Sequence, residues 1–326
     1  MNTIESRLFK YLDASQVGTW PVRIAWFALP AIYRTGFIPA TSRLDETGVI
    51  GLEVIGWTVW FIGLLAVAVL HPIALTTIRI LAPVPAAALL LAAMLTGETQ
   101  ASTLVVLGYC LIVTGAIFLP SFGDPMINGS AYGPERRLAL RPPGYAVLVA
   151  APLVWLVMFA LIASGLTLAA SGNTVLGTPL VFLGAVMSYF GFRALHQLSR
   201  RWMVFVPAGF VLHDHVILAE PILIPRKVVE NLGLVGYDHG DEAWKRRPRE
   251  LEAIDATGGA AGLVLEVNTS ADIPITMKGR ESLREAVTRT IRFTPTLPGK
   301  VLTEARIRGI RVGDPSTDAS SSASQG

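Results

Sequence analysis

The sequence predicts an α-helical transmembrane bundle of five to six spans, followed by a small α+β, mostly β, domain. Two observations support this prediction. The 139 residues between Glu53 and Arg193 contain only seven charged side chains, whereas the 134 residues from Arg193 onward contain 34. Residues 142–192 contain no Asp, Glu, Lys or Arg at all. That stretch is long enough for two helices of the roughly 20 apolar residues that cross a bilayer.

The bulk composition narrows the class of protein further. A hydrophobic content of 52% and a mean hydropathy of +0.52 fit a bundle with one soluble domain. A net charge of +3 is too small to indicate a nucleic-acid partner. The single cysteine, Cys110, excludes an intramolecular disulfide and a cysteine-based metal site. The first twenty residues lack a continuous apolar stretch, so we expect no cleavable signal peptide.

Five spans are predicted from runs of apolar residues that end at residues typical of turns. Pro83 and Pro85 either kink the second span or mark its start. The short link after the second span predicts an antiparallel hairpin with the third. The five predicted spans are residues 54–70, 80–95, 101–118, 146–169 and 175–192.

A sixth candidate span, residues 21–40, contains two arginines, Arg23 and Arg34. A central arginine costs about 2.5–3.5 kcal/mol on insertion scales, so this segment can instead lie flat at the interface. A sixth span would place Arg7 and Lys10 on the same side as the positively charged central loop and tail. The charge distribution therefore favours six spans with both termini in the cytoplasm, with five spans as the alternative.

The composition divides the chain into four parts. The last part is rich in Ser, Ala and Asp and has nothing to bury, so we expect it to be disordered. The predicted parts are an N-terminal segment 1–48, a transmembrane bundle 49–195, a cytoplasmic domain 200–312 and a tail 313–326.

Short alternating runs after Arg201 are typical of strands. Residues 202–207 and 210–213 flank Pro207-Ala208-Gly209, which predicts a hairpin. Two more strands are predicted at 262–267 and 273–277. A helix is predicted over 281–290, because Leu283, Ala286 and Val287 share a helical face. A second helix is predicted to begin near Pro298 and end at Gly309.

Residues 201–235, RWMVFVPAGFVLHDHVILAEPILIPRKVVENLGLV, resemble the opening strands of a bacterial pleckstrin-homology-like domain. The charged insertion 236–258 departs from that pattern. The whole chain is similar to uncharacterised multi-pass membrane proteins of high-GC Gram-positive (actinobacterial) type, through GDPMINGSAYGPERRLALRPPG and FTPTLPGKVLTEARIRG. These resemblances imply an architecture and no catalytic residue.

His213 and His215 are the candidate metal ligands, because alternate residues of a strand share one face. A third ligand would have to come from Glu220 or from the acidic and histidine residues of 238–242. The competing interpretation is a polar strand end at which Asp214 hydrogen-bonds its own backbone. This second interpretation is favoured, and we expect neither a metal nor a cofactor.

Two groups of basic residues are candidates for contact with anionic lipid or a partner. Acidic neighbours flank the first group and largely cancel its charge. The second group lies in the central loop and holds it on the cytoplasmic side, with docking against the soluble domain or an anionic headgroup as the alternative. The groups are Lys245, Arg246, Arg247 and Arg249, and Arg136, Arg137 and Arg141.

The sequence contains no established catalytic motif, which favours a non-enzymatic protein of the plasma membrane. Its cytoplasmic domain is expected to bind membrane lipids or another membrane or cytoplasmic protein, supporting envelope assembly or a membrane complex. A small transporter or permease-like protein is the alternative, and a lipid-modifying enzyme is a second one. Glu53 and Arg79 lie near the ends of apolar runs, where each can reach the membrane surface.

Overall fold

The computed structural model describes residues 18–42, 46–97, 99–235, 253–279 and 282–313. They form two compact units. One comprises the described residues up to Ser130 together with Ala151–His196. The other comprises Ala131–Ala150 and the described residues from Gln197 onward.

The first unit is helical. Within the described residues, five helical segments are long and apolar enough to cross a membrane: Val49–Ala68, Pro72–Thr96, Ala101–Phe118, Ala146–Ala170 and Thr174–Ser199. These segments correspond to the five predicted spans. The helices are α1 (Trp20–Ala40), α2 (Glu46–Ala68), α3 (Pro72–Leu81), α4 (Val84–Thr96), α5 (Ala101–Phe118), α6 (Pro120–Asn128), α7 (Ala151–Ala170) and α8 (Thr174–Ser199).

The second span consists of two helices. Helix α3 ends at Leu81 and α4 begins at Val84, with Pro83 between them and Pro85 in the first turn of α4. A proline lacks the backbone N–H that would continue the helical ladder, which explains the break. The predicted interruption of this span by its prolines is therefore confirmed.

Helix α1 packs lengthwise and antiparallel against α2. The Trp26 indole donates to the Trp60 carbonyl at 3.0 Å, and the Trp60 indole donates to the Trp26 carbonyl at the same distance. Nearer the start of α1, Arg23 Nε donates to the Val67 carbonyl at 2.9 Å. The two helices approach closely at Gly63, where an added Cβ would collide with the Trp26 ring. These contacts fix the register of the pair.

The opposite face of α1 packs against α5. Tyr109 Oη donates to the Ala25 carbonyl at 2.6 Å, and Thr103 Oγ1 donates to the Gly36 carbonyl at 3.2 Å. The partners run in opposite directions along the two helices. Helix α1 is thus an integral part of the helical unit, although it is not one of the five segments that are long and apolar enough to cross a membrane.

Three glycines at heptad spacing, Gly177, Gly184 and Gly191, bring α8 into close contact with α7. An added Cβ would lie 2.7 Å from the Ile162 side chain at Gly184 and too close to the Met158 sulfur at Gly191. Small residues let the backbones of membrane helices approach closely, which maximises van der Waals contact. This stripe therefore fixes α7 and α8 as a tight antiparallel hairpin.

The second unit contains two four-stranded sheets. The first sheet is antiparallel with the order β1-β2-β3-β4. The turn between β2 and β3 confirms the predicted hairpin, with Phe205 opposite Phe210. The strands are β1 (Arg136–Ala139), β2 (Trp202–Val206), β3 (Gly209–His213) and β4 (Ile222–Pro225).

The second sheet has the order β5-β7-β8-β6, in which only the short β6 pairs in parallel. Helix α9 (Pro298–Ile307) follows the sheet, and Gly309 has a φ of 68° just after it. This confirms the predicted helix between a proline and a glycine. The strands are β5 (Val229–Leu234), β6 (Ile254–Asp255), β7 (Leu265–Lys278) and β8 (Leu283–Phe293).

One local prediction is wrong: residues 283–290 of the predicted helix 281–290 belong to strand β8. The two strands predicted at 262–267 and 273–277 are confirmed at 265–267 and 273–277, but they form one strand, β7, with a bulge between Asn268 and Ile273. Pairing of β7 with β8 buries Ile291 and Phe293, both at most 1% exposed. This long-range burial outweighs the local helical spacing that Leu283 and Val287 suggested.

The β unit includes residues that the predicted boundary at 200 left out. Strand β1 lies in the central loop between α6 and α7, yet it pairs with β2. Its Leu138 and the adjacent Leu140 are buried in the same core as Phe205, Phe210 and Phe293. The central loop is therefore a structural part of the β unit.

Candidate functional site

A buried ion pair joins the central loop to the β2–β3 hairpin. Arg201 donates through Nε and Nη2 to Asp214 Oδ2 at 2.9 and 2.6 Å, and through Nη1 to the Arg141 carbonyl at 2.7 Å. Both charged side chains are only 1% exposed. Asp214 Oδ1 accepts from the backbone N–H groups of Val216 and Ile217. The predicted role of Asp214 at a strand end is confirmed.

The ion pair itself was not predicted from the sequence. The register of the hairpin nevertheless offers a signal for the pair. Trp202 faces His213, so the next residues outward, Arg201 and Asp214, come together. A strand register is therefore the information that would have revealed it.

Further backbone hydrogen bonds fasten the loop on both sides. Leu140 N–H donates to the Arg201 carbonyl at 2.9 Å, Arg141 N–H donates to the Thr294 carbonyl at 2.7 Å, and Thr296 N–H donates to the Ala139 carbonyl at 2.9 Å. The loop thus bridges the first sheet and the segment that follows β8. This arrangement agrees with the alternative in which the loop docks against the soluble domain.

The loop arginines are engaged within the unit. The Arg137 guanidinium lies over the Trp202 ring at 5.4 Å and 3.3 Å from Glu135 Oε2. The Arg141 side chain lies against Gly262, where a Cβ would approach its guanidinium. Arg136 lies on β1 and is half-buried. The other basic group, Lys245, Arg246, Arg247 and Arg249, lies outside the described residues.

The two histidines are in contact. The His213 and His215 rings meet edge to face with centroids 4.3 Å apart, and His213 stacks on Trp202 at 5.5 Å. Among the described residues, which include Glu220, no group of three His, Cys, Asp or Glu side chains is placed to hold a metal. The other suggested ligands, in 238–242, lie outside the described residues.

Burial lowers the pKa of both histidines below the ordinary value of about 6.5. For His215, the nearby Arg200 and Lys278 lower the pKa further, while Asp214 opposes the change. Burial and the neighbouring positive charges both disfavour the charged imidazolium. The pair is accordingly neutral at pH 7.

We expect the stability of the β unit to fall as the pH drops from 6.5 towards 5. The unfolded histidines take up protons below about pH 6.5, whereas the folded pair resists protonation, so the unfolded state binds more protons in this range. The urea midpoint of the full chain in mild detergent, measured at pH 7 and pH 5.5, tests this expectation. The variant H213N/H215N should show a smaller loss; an equal loss in both proteins would contradict it.

The β unit also has an open strand edge, on β8. The direction in which the β8 backbone groups point can be deduced from the hydrogen bonds of its neighbour, β7. Ala219 N–H donates to the Thr276 carbonyl and Lys278 N–H donates to the Ile217 carbonyl, both at 2.8 Å. The backbone polar groups of Thr276 and Lys278 therefore point away from β8.

The β8 residues opposite them point their backbone groups outward as well. Thr276 faces Glu285, Lys278 faces Leu283, and Pro274 in the same alternation faces Val287. In such non-hydrogen-bonded pairs of an antiparallel ladder, the N–H and C=O groups of both residues point away from the partner strand. Within the described residues, β6 pairs only with Ile291 and Arg292, and no strand covers the edge before them.

The exposed side chains of this open edge are apolar in part. Leu283 is 64% exposed and Val287 is 52% exposed. We define the β8 edge as residues Leu283, Glu285 and Val287. An edge with free backbone groups and apolar side chains is a template for pairing with another chain.

The helical unit holds polar groups at one end of the bundle. Asp124 is buried on α6. Thr76 Oγ1 lies 2.9 Å from His196 Nδ1. Arg79 was expected to reach the membrane surface. Its Nε is instead buried without a hydrogen-bond partner among the described residues, and its guanidinium lies 5.6 Å from the Phe118 ring centroid.

No family model matches the chain, and no curated protein or solved structure is detectably similar to it. Its functional assignment therefore depends on its own residues.

Proposed function

We propose that this chain is a non-enzymatic protein of the plasma membrane whose cytoplasmic domain binds a protein partner by strand addition. The β unit is proposed to be a pleckstrin-homology-like module, with the central loop supplying an extra strand. Support for this fold comes from two four-stranded sheets followed by the terminal helix α9. The module would serve as a platform for envelope assembly or for a membrane complex.

The β8 edge is the observation on which the proposal rests. Strand addition uses backbone hydrogen bonds for affinity and alternate side chains for specificity. Leu283, Glu285 and Val287 offer both, because their backbone groups point outward and two of their side chains are exposed and apolar. A partner segment in extended conformation would complete the ladder next to β8.

The way in which the β unit is connected to the membrane helices favours its proposed role as a platform for a protein partner. Strand β1 precedes α7, and β2 follows α8, so the α7–α8 hairpin enters and leaves one β unit. A loop and a tail that share one sheet lie on the same side of the membrane. The positive charges of both segments support the cytoplasmic side.

The alternatives have less support. Lipid attachment through the central loop would need free arginines, yet Arg137 is stacked on Trp202 and paired with Glu135. Transport through the bundle is favoured by one observation, the buried polar groups around Arg79 and Asp124. An enzyme acting on lipids has no specific observation in its favour.

A photoreactive amino acid at position 285 tests strand addition in living cells. We expect illumination to give one discrete protein adduct and the additional change Val287→Pro to abolish it. Proline removes the outward N–H, and edge strands tolerate proline at such positions. The adduct is detected as a band of higher mass on a denaturing gel.

Two matched controls accompany this experiment. Val287→Ala keeps the backbone N–H, so the adduct should persist. A photoreactive residue at the exposed position Leu263, away from the edge, should give no adduct. An adduct that survives Val287→Pro would refute strand addition, and an adduct with lipid alone would favour the lipid alternative.

A further inference from the structure

A cleft of about 170 Å³ opens between helices α1, α2 and α4 of the helical unit. Its lining is largely apolar and aromatic. The apolar contributors include Tyr33, Phe37, Trp57, Trp60 and Pro85. Clefts with an apolar lining and a few polar groups are the usual form of a small-molecule site.

Two opposite charges, Arg34 and Glu53, line the same cleft. The register of α1 and α2 places them at one level, because Trp26 and Trp60 exchange hydrogen bonds and the helices run antiparallel. Arg34 lies eight residues after Trp26, and Glu53 lies seven residues before Trp60. The two charges therefore face the cleft from neighbouring helices.

Neither charge is satisfied by the described part of the chain. Within these residues, Arg34 and Glu53 make no hydrogen bond or ion pair, with each other or with another group. Glu53 lies four residues inside the span Val49–Ala68, about 6 Å along the helix axis. From that position its carboxylate can reach the level of the lipid headgroups, where a charged headgroup can compensate it.

We propose that the cleft binds one zwitterionic phospholipid with a primary amine in its headgroup. The phosphate would pair with the Arg34 guanidinium, and the ammonium group would donate to the Glu53 carboxylate. One acyl chain would occupy the apolar part between α1, α2 and α4. A purely anionic lipid would leave Glu53 uncompensated, and an apolar molecule would leave both charges uncompensated.

The test uses the full chain in nanodiscs that contain equal amounts of phosphatidylethanolamine and phosphatidylglycerol. Native mass spectrometry then counts the lipids that remain bound as detergent is added. We expect one phosphatidylethanolamine per chain. Arg34→Gln should weaken its retention about tenfold, since one charge-assisted contact is lost. Glu53→Gln should remove the preference over phosphatidylglycerol.

Gly56→Leu separates lipid binding from the effects of charge on folding. Gly56 lines the cleft and has open space around an added Cβ, so leucine fills the acyl-chain site while both charges remain. Gly51→Leu is the matched control, because it lies on the same helix with equal space and does not line the cleft. We expect Gly56→Leu to abolish retention and Gly51→Leu to preserve it. Unchanged retention in Gly56→Leu or Arg34→Gln, or equal retention of both lipids by the unaltered chain, would overturn the proposal.

Discussion

Replacing Asp214 by Asn is expected to lower the free energy of unfolding of the β unit by about 3–5 kcal/mol. Asparagine keeps the shape of the side chain and an oxygen that can accept from Val216 and Ile217. It removes the charge that compensates Arg201, which is 1% exposed. A buried cation without its counter-ion is strongly destabilising, and Arg201 also holds the Arg141 carbonyl of the central loop.

The matched control is Asp272→Asn. Asp272 pairs with Arg289 at 2.7 Å, nearly the same distance as the 2.6 Å of the buried pair, but the side chains are 53% and 52% exposed. An exposed pair contributes about 0–1 kcal/mol, because water screens both charges. Urea midpoints from pulse proteolysis of the full chain in mild detergent give both values. Similar midpoints for the two variants would contradict a stabilising role for the buried charge.

The second large expected effect is the all-or-none labelling of introduced cysteines, which reports the membrane topology of the chain. We expect cysteines at position 132 and in an N-terminal tag to react with a membrane-impermeant thiol reagent only after lysis. A cysteine at position 171 should react in intact cells. Tyr132 belongs to the central loop and Ser171 to the α7–α8 link, and both are exposed. The buried Cys110 is replaced by Ala in all variants.

The tag distinguishes six spans from five. Helix α1 runs antiparallel to both α2 and α5 over most of its length, so a bilayer crossed by α5 should also be crossed by α1. The hydrogen bond that Arg23 Nε donates to the Val67 carbonyl of α2 offsets part of the cost of its charge. If the cysteine in the tag reacts in intact cells while the cysteine at position 132 does not, the chain has five spans and α1 lies at the membrane interface.

The candidate sites were only partly predictable from the sequence. The Asp214 turn followed from local chemistry. His213 and His215 are in contact, but His215 lies in that turn and not on the strand, so the predicted strand alternation is not the cause. The β8 edge did not follow from the sequence, because Leu283 and Val287 have helical spacing and their strand is fixed by β7. Arg34 and Glu53 lie at the same height along the bundle because of the register between α1 and α2, and neither helix encodes that register alone.

The sequence by itself determined the five apolar spans, the β2–β3 hairpin and helix α9. Each depends on local information: hydropathy over one helix length, a turn of Pro207-Ala208-Gly209, and a proline and glycine at the two ends of a helix. Only the tertiary structure decided that α1 belongs to the bundle, that β1 belongs to the β unit and that β8 is a strand. These features depend on hydrogen bonds and burial between residues far apart in the chain, whose free energy outweighs local propensity.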